Sequence, residues 1–154
     1  EGVIKKEKYA NALRIKLKKN EKTLAYLKQV NTEKFLRLPK KIQIAINDFL
    51  DSLEIKPLIV LIFGSYAKNN FNENSDIDLL LVYQKVENEK NIENNAKRIG
   101  TRNNLEINPI YINYQNFERN FLDKNHDFSK EIREKAIVLL GIELYYSLLW
   151  RFLE

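Results

Sequence analysis

Three observations predict an α/β (α+β) fold, a small mixed sheet flanked by helices and preceded by a basic β-hairpin and two helices. Short apolar runs at residues 58–63, 77–83 and 106–112 are rich in β-branched side chains and alternate with stretches of helical periodicity. Residues 3–19 instead alternate apolar and basic side chains with a period of two. Between these two textures, residues 20–53 carry apolar side chains at helical spacing, interrupted once by Pro39.

In chain order, Leu13, Ile15 and Leu17 are separated by Arg14 and Lys16, which reads as a half-buried strand with residues 3–4 as its hairpin partner. Asn20 is a helix N-cap, and Leu24, Leu27, Val30 or Asn31, Phe35 and Leu38 form the apolar stripe of the helix it opens. Pro39 ends that helix, because the residue before a proline avoids the helical region. A second helix spans residues 40–53, with Ile42, Ala45, Ile46, Phe49, Leu50 and Leu53 on one face. Strands follow at 58–63, 77–83 and 106–112, with a solvent-facing helix within 87–103. The rest reads as helix near 115–122, helix from about 129, a short apolar stretch at 136–140 and a last helix from 143. The chain thus divides into a basic hairpin (1–19), a helical connector (20–54) and a sheet domain (55–154).

Composition narrows the class. The 154 residues are 44% hydrophobic and 31% charged, which suits a folded soluble domain, and the apolar runs are far shorter than the about 20 residues of a membrane span. No apolar leader follows the charged N-terminus. Cysteine is absent, which removes disulfides and thiolate metal sites and fits a cytoplasmic protein. Methionine is absent too, even at position 1, so the chain is expected to be processed, trimmed or cut from a longer one. The net charge of +5 is uneven: residues 1–41 hold 13 Lys or Arg against 4 Glu, and the remainder holds 13 against 17 Asp or Glu. A basic arm on a mildly acidic body suggests a polyanion-facing segment, DNA included, although lysines that merely solvate a hairpin and helix give the same count.

Chemistry concentrates in Gly64-Ser65-Tyr66-Ala67-Lys68 and in Ser75-Asp76-Ile77-Asp78-Leu79. A strand that ends in Gly-Ser and turns straight into a helix offers free backbone N–H groups and a hydroxyl to a phosphate. Asp76 and Asp78 are two apart at a strand start, so both carboxylates point to one face. Their repulsion is relieved by a hard, oxygen-preferring cation such as Mg²⁺, which also chelates substrate phosphates. Either half alone is common; the two together, between buried strands and joined by a short spacer, are specific.

This segment resembles the DNA polymerase beta-like nucleotidyltransferase superfamily, and especially its minimal members, in which Gly-Ser-x-Ala-x-Gly, a short loop and Ser-Asp-Ile-Asp-Leu follow one another. Gly64, Ser65, Ala67, Ser75, Asp76, Ile77, Asp78 and Leu79 match in register, while Asn69 replaces a glycine and Lys68 is the cation left near the triphosphate. Residues 105–112 look like the Glu-x-Asn-Pro variant of a branch attached to winged-helix transcription regulators of archaea and bacteria, which implies Glu106 as the third carboxylate. Residues 2–17 look like the wing of such a domain.

The resemblance implies a Mg²⁺-dependent (or Mn²⁺-dependent) transfer of a nucleoside monophosphate from an NTP to an acceptor hydroxyl. Asp76, Asp78 and Glu106 are then the metal-binding and catalytic carboxylates, and Gly64, Ser65, Lys68 and Ser75 the nucleotide contacts. A protein acceptor is expected, as for minimal nucleotidyltransferase antitoxins that modify a toxin partner. Two rival readings stand beside it: a catalytically weak domain of a DNA-binding regulator, and a structural homodimer module built on residues 20–53. His126, the single histidine, reads as an exposed loop residue, and Tyr145, Tyr146 and Trp150 read as core or interface rather than a base-stacking platform.

Overall fold

Strand alternation decides which side of the sheet each residue of the candidate motif faces. The computed structural model describes residues 2–154; Glu1, where the expected hairpin segment begins, lies outside the described residues. The elements run β1 (Ile4–Tyr9), β2 (Ala12–Leu17), α1 (Glu21–Leu36), α2 (Lys40–Asp51), β3 (Ile59–Phe63), α3 (Gly64–Lys68) and β4 (Ile77–Tyr83). They continue α4 (Glu89–Asn103), β5 (Ile107–Asn113), α5 (Tyr114–Leu122), α6 (Asp127–Lys135), β6 (Ile137–Leu140) and α7 (Ile142–Leu153).

The main sheet has the order β5-β4-β3-β6. It is mixed: β3 pairs antiparallel with both β4 and β6, whereas β4 and β5 are parallel and joined by the α4 crossover. The short apolar stretch expected at 136–140 is the edge strand β6. β3 and β4 are buried on both faces, which explains their near-continuous apolar sequences. On one face Val60, Ile62, Ile77, Leu79 and Leu81 pack with Ile42, Ala45, Ile46 and Phe49 of α2 and with Ile92, Ala96 and Ile99 of α4. On the other, Ile59, Leu61, Leu80 and Val82 pack with Phe117 and Phe121 of α5, Ile132 of α6 and Tyr145 and Leu148 of α7. The apolar face of α2, grouped by sequence with the connector, therefore packs directly onto the sheet.

β1 and β2 form a separate antiparallel hairpin, but the strand expected to be half-buried is exposed all along, Leu13, Ile15 and Leu17 included, because no other element among the described residues covers that face of β2. Its base is tied to α1 by Asn20, whose side chain accepts from the Thr23 N–H at 3.0 Å and donates to the Gly2 carbonyl at 2.8 Å. The N-cap expected there is present. The buried stripe of α1 is more polar than its sequence suggests, being Thr23, Leu27 and Asn31, while Leu24, Val30 and Phe35 are half-buried. Asn31 explains the shift. Its Oδ1 accepts from the Val138 N–H at 2.7 Å, and its Nδ2 donates to the Leu27 carbonyl and to the Tyr146 hydroxyl. One buried amide thus joins α1, the β6 edge and α7. No helix among the described residues is long and apolar enough to cross a membrane.

Candidate active site

Asp76 immediately precedes β4, and Asp78 is its second residue. Ile77 and Leu79 face the α2–α4 layer, so Asp76 and Asp78 share the opposite face with Leu80 and Val82. Register places Phe63 of β3 beside Asp78 on one flank and Asn108 of β5 beside it on the other. The Asn108 amide donates to Asp76 Oδ2 at 3.3 Å and stands beside Asp78 in the register of β4 and β5. The two carboxylates and an amide therefore meet at one point on the sheet.

The turn from β3 into α3 closes the other side. Gly64 has φ +69°, and a Cβ there would overlap Asp78 Oδ2. Glycine is thus needed twice, for its left-handed backbone and for the close approach of the carboxylate. α3 is a five-residue turn of helix ended by Asn69 in the left-handed conformation (φ 57°), so asparagine does serve where the resemblance leads one to expect glycine. Tyr66 is buried under the loop, stacks on Phe71 at 4.6 Å between ring centroids, and directs its hydroxyl at the Ser75 carbonyl. Ser75 Oγ accepts from the Asn72 N–H at 2.8 Å, which shapes the short loop between the two motif halves.

Electrostatics bring in a further carboxylate. Burial pushes the Asp78 carboxyl above its usual range; Asp76 and Glu131 raise it further, against the Asn108 amide and the Lys68 charge. Lys68 itself pairs with Glu131 of α6 at 2.7 Å. Burial, with Asp76 nearby, also raises the Tyr66 phenol. Along the same sheet face, an apolar cleft of about 210 Å³ lies between Leu80, Ile110, Ile112 and Phe128. His126 borders that cleft, half-buried rather than exposed as expected, with Nδ1 accepting from the Ser129 N–H as the cap of α6. Tyr145 lies in the core and donates its hydroxyl to the Ile132 carbonyl, as the sequence reading anticipated.

The structure therefore brings Gly64, Asp76 and Asp78 together, with Ser65 in the first turn of α3 and Lys68 at its end. Ser75 is adjacent through the loop. Glu106 stands apart: it precedes β5, is exposed, and lines a groove with Glu93, Lys97 and Thr101 of α4. Its carbonyl accepts from the Ile77 N–H at 2.8 Å, but among the described residues no three acidic, histidine or cysteine side chains are gathered to hold a metal. Sequence reasoning missed Asn108: it sits in the Glu-x-Asn-Pro segment, but only the register of β5 against β4 sets it beside Asp78. It also missed Glu131, since nothing in the sequence links residue 131 to residue 68.

The donor set suits a hard cation. Two carboxylates side by side, with an amide at hand and no sulfur or imidazole between them, offer the oxygen donors that hard divalent cations take.

A mixed sheet whose buried strand opens on Asp-x-Asp, packed against a Gly-Ser turn, defines a nucleotidyltransferase-type domain. The chain belongs to the polymerase beta nucleotidyltransferase family, whose model matches residues 40–140, from α2 to the end of β6. Among solved structures, a toxin–antitoxin with AMP-PNP superposes with a TM-score of 0.51 at 15% identity, covering 74% of this chain and 87% of that chain. A mutant of the toxin–antitoxin MntA-HpeT gives 0.48 at 13% identity over the same shares, 74% and 87%. The first of these likenesses establishes a common fold. No curated relative matches the sequence.

Proposed function

We propose that the domain transfers a nucleoside monophosphate from a nucleoside triphosphate to an acceptor hydroxyl, with Mg²⁺ (or Mn²⁺) held by Asp76 and Asp78. The observation that carries this reading is the juxtaposition of the two carboxylates with Gly64 at the β3–α3 turn, within a family of nucleotidyltransferases. In the reaction the acceptor oxygen attacks the α-phosphorus, the bond from that phosphorus to the pyrophosphate oxygen breaks, and the acceptor proton passes to solvent. The cation supplies charge neutralisation on the α-phosphate and acidifies the acceptor hydroxyl. Ser65 and the first N–H groups of α3 hold the outer phosphates, and Lys68 adds charge to them. Asn108 holds the Asp76 carboxylate beside Asp78, and Ser75 holds the loop that brings the two motif halves together. Glu106 is the proposed third carboxylate, in the residue that precedes β5 and whose carbonyl accepts from the Ile77 N–H.

A protein acceptor is the preferred partner. Its support is the fold shared with a solved toxin–antitoxin. The test is label transfer from α-³²P nucleoside triphosphates to candidate acceptors in the presence of Mg²⁺. Transfer by the native protein and its loss in Asp76→Asn and Asp78→Asn support the reading; equal transfer by both variants refutes it.

A second reading rests on the hairpin. Lys5, Lys6, Lys8 and Lys16 are exposed on β1 and β2, so the hairpin is suited to a polyanion such as DNA in a regulator whose nucleotidyltransferase domain is weak. The homodimer reading has less support, because the apolar face of α2 is already covered by the chain's own sheet.

A further inference from the structure

We infer that Glu131 is a positioning residue that withholds Lys68 from the nucleotide until a divalent cation is bound, making triphosphate binding conditional on metal. The inference rests on the proposed nucleotidyl transfer. Lys68 is the basic side chain of α3, the element that carries the Gly-Ser turn, and its ammonium already has a carboxylate partner at 2.7 Å. That partner comes from α6, a different part of the chain, and stands near enough to act on Asp78. A triphosphate entering without metal meets Asp76 and Asp78 while the ammonium of Lys68 is already neutralised by Glu131, so the like charge beside the phosphates is not offset. A divalent cation on Asp76 and Asp78 cancels that charge, and Lys68 can then exchange Glu131 for a phosphate oxygen. The exchange is easy: the two side chains are 39% and 29% exposed, and ion pairs this open to water are weak. A lysine committed from the start to the phosphates would instead bind free nucleotide, which cannot react.

The experiment is calorimetric titration of inorganic tripolyphosphate, with chelator and then with Mg²⁺, into the native protein and the variants Glu131→Gln, Lys68→Ala and the double variant. Glu131→Gln should bind metal-free tripolyphosphate about three- to fivefold more tightly than the native protein, the most that an ion pair this exposed can hold back. The gain should vanish when Lys68 is already alanine, since it acts through that lysine. With Mg²⁺ the native protein and Glu131→Gln should differ by less than about 1.5-fold. An unchanged metal-free affinity in Glu131→Gln overturns the inference, and so does an equal gain in the Lys68→Ala background, which would make Glu131 a general repulsive charge. Both of those outcomes leave Mg²⁺-dependent binding, and with it the proposed transfer, intact. Absence of tripolyphosphate and nucleotide binding in every protein with Mg²⁺ overturns the transfer reading itself.

Discussion

Gly64 and Asp78 are the residues whose local physics is most sharply constrained. Alanine at position 64 would have to hold φ +69° and would push a methyl group into the Asp78 carboxylate. Gly64→Ala should therefore cost about 1–3 kcal/mol in urea unfolding, the range for a forced left-handed backbone, and should lose Mg²⁺-dependent nucleotide binding along with it. Asp78 makes a pH prediction. Its carboxyl is raised by burial, so the native state holds the proton more tightly than the unfolded chain does. That contribution is fully present below the ordinary carboxylate pKa and is lost as pH rises through the raised one. Ionised Asp78 thus weakens the fold at neutral pH. In metal-free buffer Asp78→Asn should melt higher than the native protein at pH 7, and the gap should close near pH ~3 as the native carboxyl is protonated. A variant that melts lower at pH 7 would contradict the assigned burial. The motif residues were legible in the sequence because their chemistry is local: a glycine that permits a turn, and carboxylates whose spacing fixes their common face.

At the scale of elements, the legible features were those set by neighbours in the chain. The hairpin, the Asn20 cap, the β3 and β4 strands and the face of α2 follow from periodicity and capping, and all are present. What escaped depends on partners far along the chain. Asn31 was one of two alternatives for a single stripe position, and it is buried because the edge of β6 needs an acceptor for the Val138 N–H. Asn108 belongs to the site only because β5 is parallel to β4 in a register that sets it beside Asp78, and register cannot be read from either strand alone. Glu131 reaches Lys68 only once α6 is laid over β3. Asn31 gives a test at this scale. Removing its amide leaves a buried N–H unpaired, so Asn31→Ala should destabilise the protein by about 1–3 kcal/mol in denaturant unfolding. A change below 0.5 kcal/mol would mean that water or a shifted α1 replaces the amide.

For the whole molecule, charge and fold separate the rival functions. The basic arm, with 13 Lys or Arg against 4 Glu in residues 1–41, is distinct from the sheet face that carries the acidic pair. If the hairpin contacts DNA through its lysines, the affinity should fall steeply and log-linearly with salt, and replacing Lys6, Lys8 and Lys16 by glutamine should flatten that slope by about 2–3. An unaltered slope would remove the hairpin from any such contact. The family assignment places residues 40–140 in a nucleotidyltransferase domain, and the central claim is that this domain uses Asp76 and Asp78 to bind a triphosphate with a metal. Its most direct test is calorimetric titration of ATP, GTP, CTP and UTP, with and without Mg²⁺, into the native protein and the Asp76→Asn/Asp78→Asn double variant. The account predicts Mg²⁺-dependent binding of at least one nucleotide to the native protein and none to the variant. Binding that is independent of Mg²⁺ and survives in the variant, or no binding of any nucleotide to the native protein, would contradict it.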